Sequence, residues 1–172
     1  MRETAADLAR LQVLLDRSIE GAGPFLRSSF EMPEHSLSAA QLAAHLQGSL
    51  TVALATTTAR GEPRVAPIGA LFVRATFHVP SVAQAARARH LAARPAASLT
   101  YFEGNDLAVI VHGRATILDA AHPDFAVLDE LQVRCGGGSV TGWSGDGVYL
   151  RVEAERMFTY AREPERVGSG AS

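Results

Sequence analysis

The chain has 172 residues, 47% of them apolar, enough for one well-buried core and too little for two. Its formal charge is −2, with sixteen basic residues, all arginine, dispersed among eighteen acids, so there is no basic stripe of the kind that tracks a nucleic acid. The single cysteine, Cys135, excludes an intramolecular disulfide and a thiolate zinc cluster within one chain. With neither a signal-peptide pattern nor an apolar run of membrane-spanning length, the expectation is a cytoplasmic protein that engages neither membrane nor nucleic acid.

Leu8, Leu11, Leu15 and Ile19 recur at three- and four-residue spacing, which predicts an amphipathic helix over residues 5–19 ended by Gly21-Ala22-Gly23-Pro24. Ser38-Ala39-Ala40-Gln41 is a capping box that opens a short helix reaching Gly48. Residues 1–47 thus read as a helical arm, residues 48–162 as a strand-rich domain and residues 163–172 as a frayed tail. Strands are expected over 50–57 and 64–73, joined by the turn Ala59-Arg60-Gly61-Glu62-Pro63. Pro67 lies inside the second strand; lacking an N–H, it belongs at an edge or bulge, where neighbouring backbone groups can face a ligand.

A third strand over 76–79 leads to a helix over 82–93, a fourth strand over 96–102, and a hairpin turn at Glu103-Gly104-Asn105 into a fifth strand over 107–118. That strand alternates, with Val109, Val111, Gly113, Ala115 and Ile117 on one face and Ile110, His112, Arg114 and Thr116 on the other. A short helix should run from His122-Pro123-Asp124 to Leu131. The following segment, 134–147, carries six glycines without the lysine and hydroxyl of a P-loop, and reads as a mobile surface loop or, through Trp143, a lid. The last strand is expected over 148–160. Hairpins dominate and crossovers are few, so the predicted fold is mainly β, a six-stranded antiparallel barrel with flanking helices.

The candidate chemistry lies between Phe77 and Ala115. Ser81-Val82-Ala83-Gln84 reads as a capping box opening the helix that carries Arg87-Ala88-Arg89-His90-Leu91. Unpaired N–H groups at a helix start, the helix dipole and a nearby guanidinium form a receptor for a phosphate dianion. The alternative reading of the same pattern is an ordinary capped helix with a solvated arginine face.

Over residues 47–160 the order of elements resembles the FMN-binding split β-barrel family, which contains pyridoxamine 5′-phosphate oxidases and flavin- or deazaflavin-dependent oxidoreductases. The matching motifs are Gly61-Glu62-Pro63-Arg64-Val65-Ala66-Pro67, then Arg87-Ala88-Arg89-His90-Leu91 with Arg94-Pro95 and Ser98-Leu99-Thr100-Tyr101, and finally His112-Gly113-Arg114-Ala115. The resemblance implies a split barrel and a homodimer with cofactor sites in grooves between subunits. It puts Ser81 and Arg87 at the cofactor phosphate and Arg89 as a second ligand. The backbone of Val65, Ala66, Pro67 and Ile68 then runs along the ring, with His78 as a neighbour. No catalytic residue and no metal ligand is implied.

Departures from the family pattern narrow the expectation. The vitamin B6 oxidases carry an arginine near Ala66, a lysine near Leu71, a serine and an arginine at Ala85-Ala86 and a glutamine near Ala108, so a second phosphate would lack its counter-charges here. The implied function is an FMN-dependent oxidoreductase acting on another small molecule. Deazaflavin coenzyme F-420 is the alternative cofactor, its acidic tail served by Arg64, Arg89 and Arg114. A non-catalytic carrier of cofactor or haem, with His78, His90 or His112 as the iron ligand, is the alternative function.

Overall fold

Residues 3–144 and 146–168 are described by the computed structural model of this chain. The amphipathic N-terminal stretch forms α1 (Ala5–Glu20), opened by a capping box in which Asp7 and Thr4 bond reciprocally. Those bonds, chiefly the Thr4 N–H, hold the buried Asp7 carboxyl below the usual carboxylate range, with Arg10 adding to the effect. α2 (Pro24–Ser29) starts on Pro24 at its first position, so the predicted helix stop is also a helix start. α3 (Ala39–His45) has the predicted capping box, with Ser38 Oγ and Gln41 closing it on both sides.

Six strands follow: β1 (Leu50–Thr57), β2 (Pro63–Val73), β3 (Thr76–Val82), β4 (Ala96–Glu103), β5 (Leu107–Leu118) and β6 (Gly147–Ala161). They close an antiparallel barrel, as predicted, and its strand order is β1-β2-β3-β6-β5-β4. α4 (Ala86–Ala93) joins β3 to β4; α5 (Phe125–Arg134) and α6 (Thr141–Ser144) lie between β5 and β6. The Gly113 α-carbon sits against β6 at an irregularity in register, where a Cβ would fall 2.0 Å from the Glu153 carbonyl oxygen. Only glycine fits there.

The barrel is split because β2 is shared unequally. Pro63 to Ala70 pair with β1 along one edge, whereas only Leu71, Phe72 and Val73 pair with β3. Pro67 therefore lies on a strand whose second edge is open, as a residue with no N–H requires. Past His78, β3 leaves β2 and pairs with β6 alone. The gap so opened is the place where α4 begins.

Inward positions of all six strands join Leu11, Leu15, Leu37, Leu42 and Leu46 in one core. The helical arm is thus a continuous part of the barrel's packing. Ser18 anchors it, accepting from the Met157 N–H at 3.0 Å while donating to the Leu14 carbonyl. Residues 163–168 depart from the predicted frayed tail: Pro164–Arg166 form a 3-10 turn, Gln41 donates to the Pro164 carbonyl at 2.6 Å, and Val167 packs against the core. The last four residues lie outside the described ones.

A second apolar cluster of Leu71, Val73, Leu118, Phe125, Leu128, Val140 and Tyr149 seats α5 on the outer side of the sheet. It also corrects the reading of the glycine-rich segment as a mobile loop. The Asp129 carboxylate accepts from Ser139 Oγ at 2.6 Å, the Val140 N–H at 2.9 Å and the Tyr149 hydroxyl at 3.2 Å, and Val140 is fully buried. Burial first, then the Asp129 charge, pushes the Tyr149 phenol above its usual range. Trp143 is half exposed on α6 and lines none of the cavity described below.

Candidate functional site

A cavity of about 320 Å³ occupies the split, lined by Leu54, Thr56 and Thr58 from the end of β1, Arg64, Val65 and Ala66 from β2, and Ala86, Arg87 and His90 from α4. The β1 side chains arrive there by strand alternation: Leu50, Val52 and Leu54 point inward, and Thr56 continues that row with a hydroxyl. The α4 side chains arrive by helical spacing, Arg87 and His90 being three residues apart on one face.

α4 begins later than the sequence pattern suggests. Ser81 and Val82 remain in β3, paired with Val148 and Gly147 of β6, and the Ala83 N–H donates to the Asp146 carbonyl. Ala85 is the N-cap, with no side-chain cap bond, so the predicted Ser81–Gln84 capping box does not form. Pairing with a neighbouring strand satisfies more backbone groups than a local cap, and it wins. Ser81 nonetheless meets Arg87. Its buried hydroxyl accepts from Arg87 Nη1 at 3.2 Å, which ties the guanidinium to the end of β3.

Arg87 forms no ion pair among the described residues, and its bond to Ser81 uses one of its five N–H groups. Most arginines around it are engaged: Arg64 Nη2 bonds Glu62 at 2.9 Å and Arg94 Nε bonds the Thr57 carbonyl at 3.0 Å. His90 Nδ1 lies 3.0 Å from Thr56 Oγ1, and Thr56 is 5% exposed. A half-buried guanidinium without a carboxylate, beside a mostly apolar wall and an open strand edge, can meet an anionic group carried by an apolar one.

Of the sequence-predicted residues, Val65, Ala66 and Arg87 line the cavity, Ser81 supports it through Arg87, and Pro67 and Ile68 continue along the open edge of β2. Arg89 is exposed on α4 and does not line it. His78 is placed elsewhere: it lies against Val73, Arg74, Asp124, Val127 and Leu128 and is 4% exposed. Its Nδ1 donates to the Thr76 carbonyl at 3.1 Å, and burial above all holds its pKa down to about 4, against the pull of that bond and of Asp124 and with Arg151 and Arg74 working in the same direction as burial. It is a neutral packing residue beneath α5. His112 accepts or donates at 2.8 Å to Ser98 Oγ on the outer face of the barrel. The three histidines considered for haem therefore stand in three different surroundings, and no group of three metal-ligating side chains occurs among the described residues.

Leu54, Thr56 and Thr58 are the cavity residues that motif reading passes over. A threonine continuing an inward row of leucine and valine was their signal in the sequence. The remaining displaced titratable groups lie away from the cavity. Tyr101 donates to Glu103, which also meets His45 Nε2 at 2.8 Å; the tyrosine hydroxyl first, then His45, keeps the Glu103 carboxyl low, and burial raises the Tyr101 phenol.

A closed six-stranded barrel, split at β2 and holding an arginine-bearing cavity in the split, defines the FMN-binding split-barrel class. The family model for pyridoxamine 5′-phosphate oxidase matches residues 38–161, and the chain belongs to that family. The conserved hypothetical protein Rv2991 from Mycobacterium tuberculosis has the same fold, with a TM-score of 0.66 and 20% identity over 81% of this chain and 94% of that one. A FAD-binding protein from Mesorhizobium loti (TM-score 0.57, 21% identity, 72% and 93% of the two chains) and an F420 reductase (0.54, 20%, 66% and 93%) share it too. No curated protein matches the sequence. Among the described residues no helix is long and apolar enough to cross a membrane.

Proposed function

We propose that this protein binds FMN and is a flavin-dependent oxidoreductase acting on a small organic molecule other than a vitamin B6 phosphate. The observation that carries this reading is Arg87: a guanidinium without a carboxylate partner among the described residues, tied to the buried Ser81 hydroxyl and lining the cavity in the split. The family membership supports it. When bound, the flavin supplies the redox chemistry, and the protein supplies binding, orientation and exclusion of water. Arg87 would hold the phosphate through its remaining N–H groups, fixed in direction by Ser81. The open edge of β2 at Val65, Ala66, Pro67 and Ile68 would present backbone groups to the ring, and Leu54, Val65 and Ala66 an apolar wall.

The proposed assembly is a homodimer with the cofactor between subunits, and the single, unbridged Cys135 supports a cytoplasmic setting. Deazaflavin coenzyme F-420 is the second reading. It is supported by Arg64, an exposed cation that also lines the cavity and suits a longer acidic tail, and by the fold shared with an F420 reductase.

Fluorescence titration of the purified chain with FMN and with F-420 tests the proposal. One of them binds, and Arg87→Ala weakens that binding by roughly ten- to a hundredfold, the loss of a charge-assisted contact of about 1.5 to 3 kcal/mol. Failure of the wild-type chain to bind either would end the reading.

A further inference from the structure

The cavity holds a second group that could meet an anion and that the family pattern leaves unassigned. His90 lies one turn beyond Arg87 on α4 and lines the same cavity. Its Nδ1 is 3.0 Å from Thr56 Oγ1, a hydroxyl hidden in the β1 wall with no other bonded partner among the described residues. Thr56 Oγ1 has one proton, and donating it to Nδ1 makes the imidazole an acceptor there. The ring N–H donor is then Nε2, which has no protein partner among the described residues. Threonine and histidine together make a fixed donor arm.

We propose that Thr56 and His90 form the second arm of a site for a terminal phosphate monoester, with His90 Nε2 donating to one phosphate oxygen and Arg87 to the others. This rests on the cofactor reading above and deepens it. A monoester presents three terminal oxygens pointing in three directions, more than one planar guanidinium can face at once, whereas a phosphodiester presents two. Two donor arms on one helix face, each braced by a buried hydroxyl from a different strand, suit the ligand with more oxygens. His90 is then a binding residue, and Thr56 a positioning residue that acts through it.

The test is a pair of titrations on the full chain, FMN against riboflavin, which shares the ring and lacks the phosphate. His90→Ala is expected to weaken FMN about tenfold while riboflavin changes less than twofold. Thr56→Val, which keeps the side-chain shape and removes the hydroxyl, is expected to weaken FMN several-fold. Thr56→Ser is expected to restore it, and Thr56→Val added to His90→Ala is expected to cost nothing further, because the two act as one unit. Circular dichroism of each variant confirms folding. If FMN affinity depends on Arg87 yet is unchanged in His90→Ala, or if riboflavin weakens in parallel with FMN, this assignment is overturned and the cofactor reading stands. If the wild-type chain binds no FMN, the cofactor reading itself has failed.

Discussion

His78 shows how one residue can look like a ligand and prove to be a lever on stability. A histidine on a strand next to a proposed anion site invites a functional reading, but strand alternation puts its side chain on the side covered by α5, where burial holds its pKa near 4. Its ordinary value is 6.5. The native state keeps it neutral while the unfolded chain takes up a proton first, so its contribution to stability is complete above about pH 6.5 and is lost as pH falls toward 4. The loss is on the order of 3 kcal/mol. Denaturant unfolding between pH 7 and pH 4 should show that decline, and His78→Gln should flatten it. A decline of equal size in the variant would remove His78 as its cause; the carboxylates Asp7 and Glu103, with depressed pKa values, act lower, as pH falls through the ordinary carboxylate range and below.

At the scale of elements, the strands were legible because apolar alternation reports a buried face, and β1, β2, β4, β5 and β6 lie within a residue or so of where the pattern puts them. What the pattern missed was decided by partners distant in sequence. Ser81 looks like an N-cap, but β6 is available to pair with it, so β3 runs three residues longer and α4 starts four residues later. The glycine-rich segment looks mobile, but Asp129 on a neighbouring helix fixes it. The cavity was legible for Val65, Ala66, Ser81 and Arg87, and not for Arg89 or His78, because spacing along a chain does not reveal which face of the element points into the split. The arm makes the same point. Its leucine stripe is obvious, but its lock is the Ser18 hydroxyl on the Met157 N–H, two groups 139 residues apart. Ser18→Ala leaves that buried N–H without an acceptor and should lower stability by about 1 to 3 kcal/mol in thermal or chemical unfolding. A loss near zero would mean that α1 merely rests on β6.

At the scale of the molecule, the outward face of the barrel bears on assembly. Register places Pro67, Ala53, Thr100, Ile110 and Phe158 in one row across five strands, and a neighbouring row runs from Val65 through Ala55 to Ser98 and His112. Side chains paired across strands in this way share a face. Val65 is 71% exposed and Phe102 57%, large apolar groups that one protomer leaves in water. Val65 also lines the cavity, so whatever covers this face also closes the proposed cofactor site. The proposed homodimer does both at once, and it makes a prediction that a monomeric site would not. Ile110 lies on the outward row, away from the cavity lining of its own protomer. Ile110→Glu should give a folded monomer by size-exclusion chromatography with light scattering, and should weaken FMN binding at least tenfold although it touches no FMN-binding residue of its own chain. A monomeric variant that binds FMN with unchanged affinity would show that each barrel holds its cofactor alone. A dimer unperturbed by the buried charge would place the interface on another face.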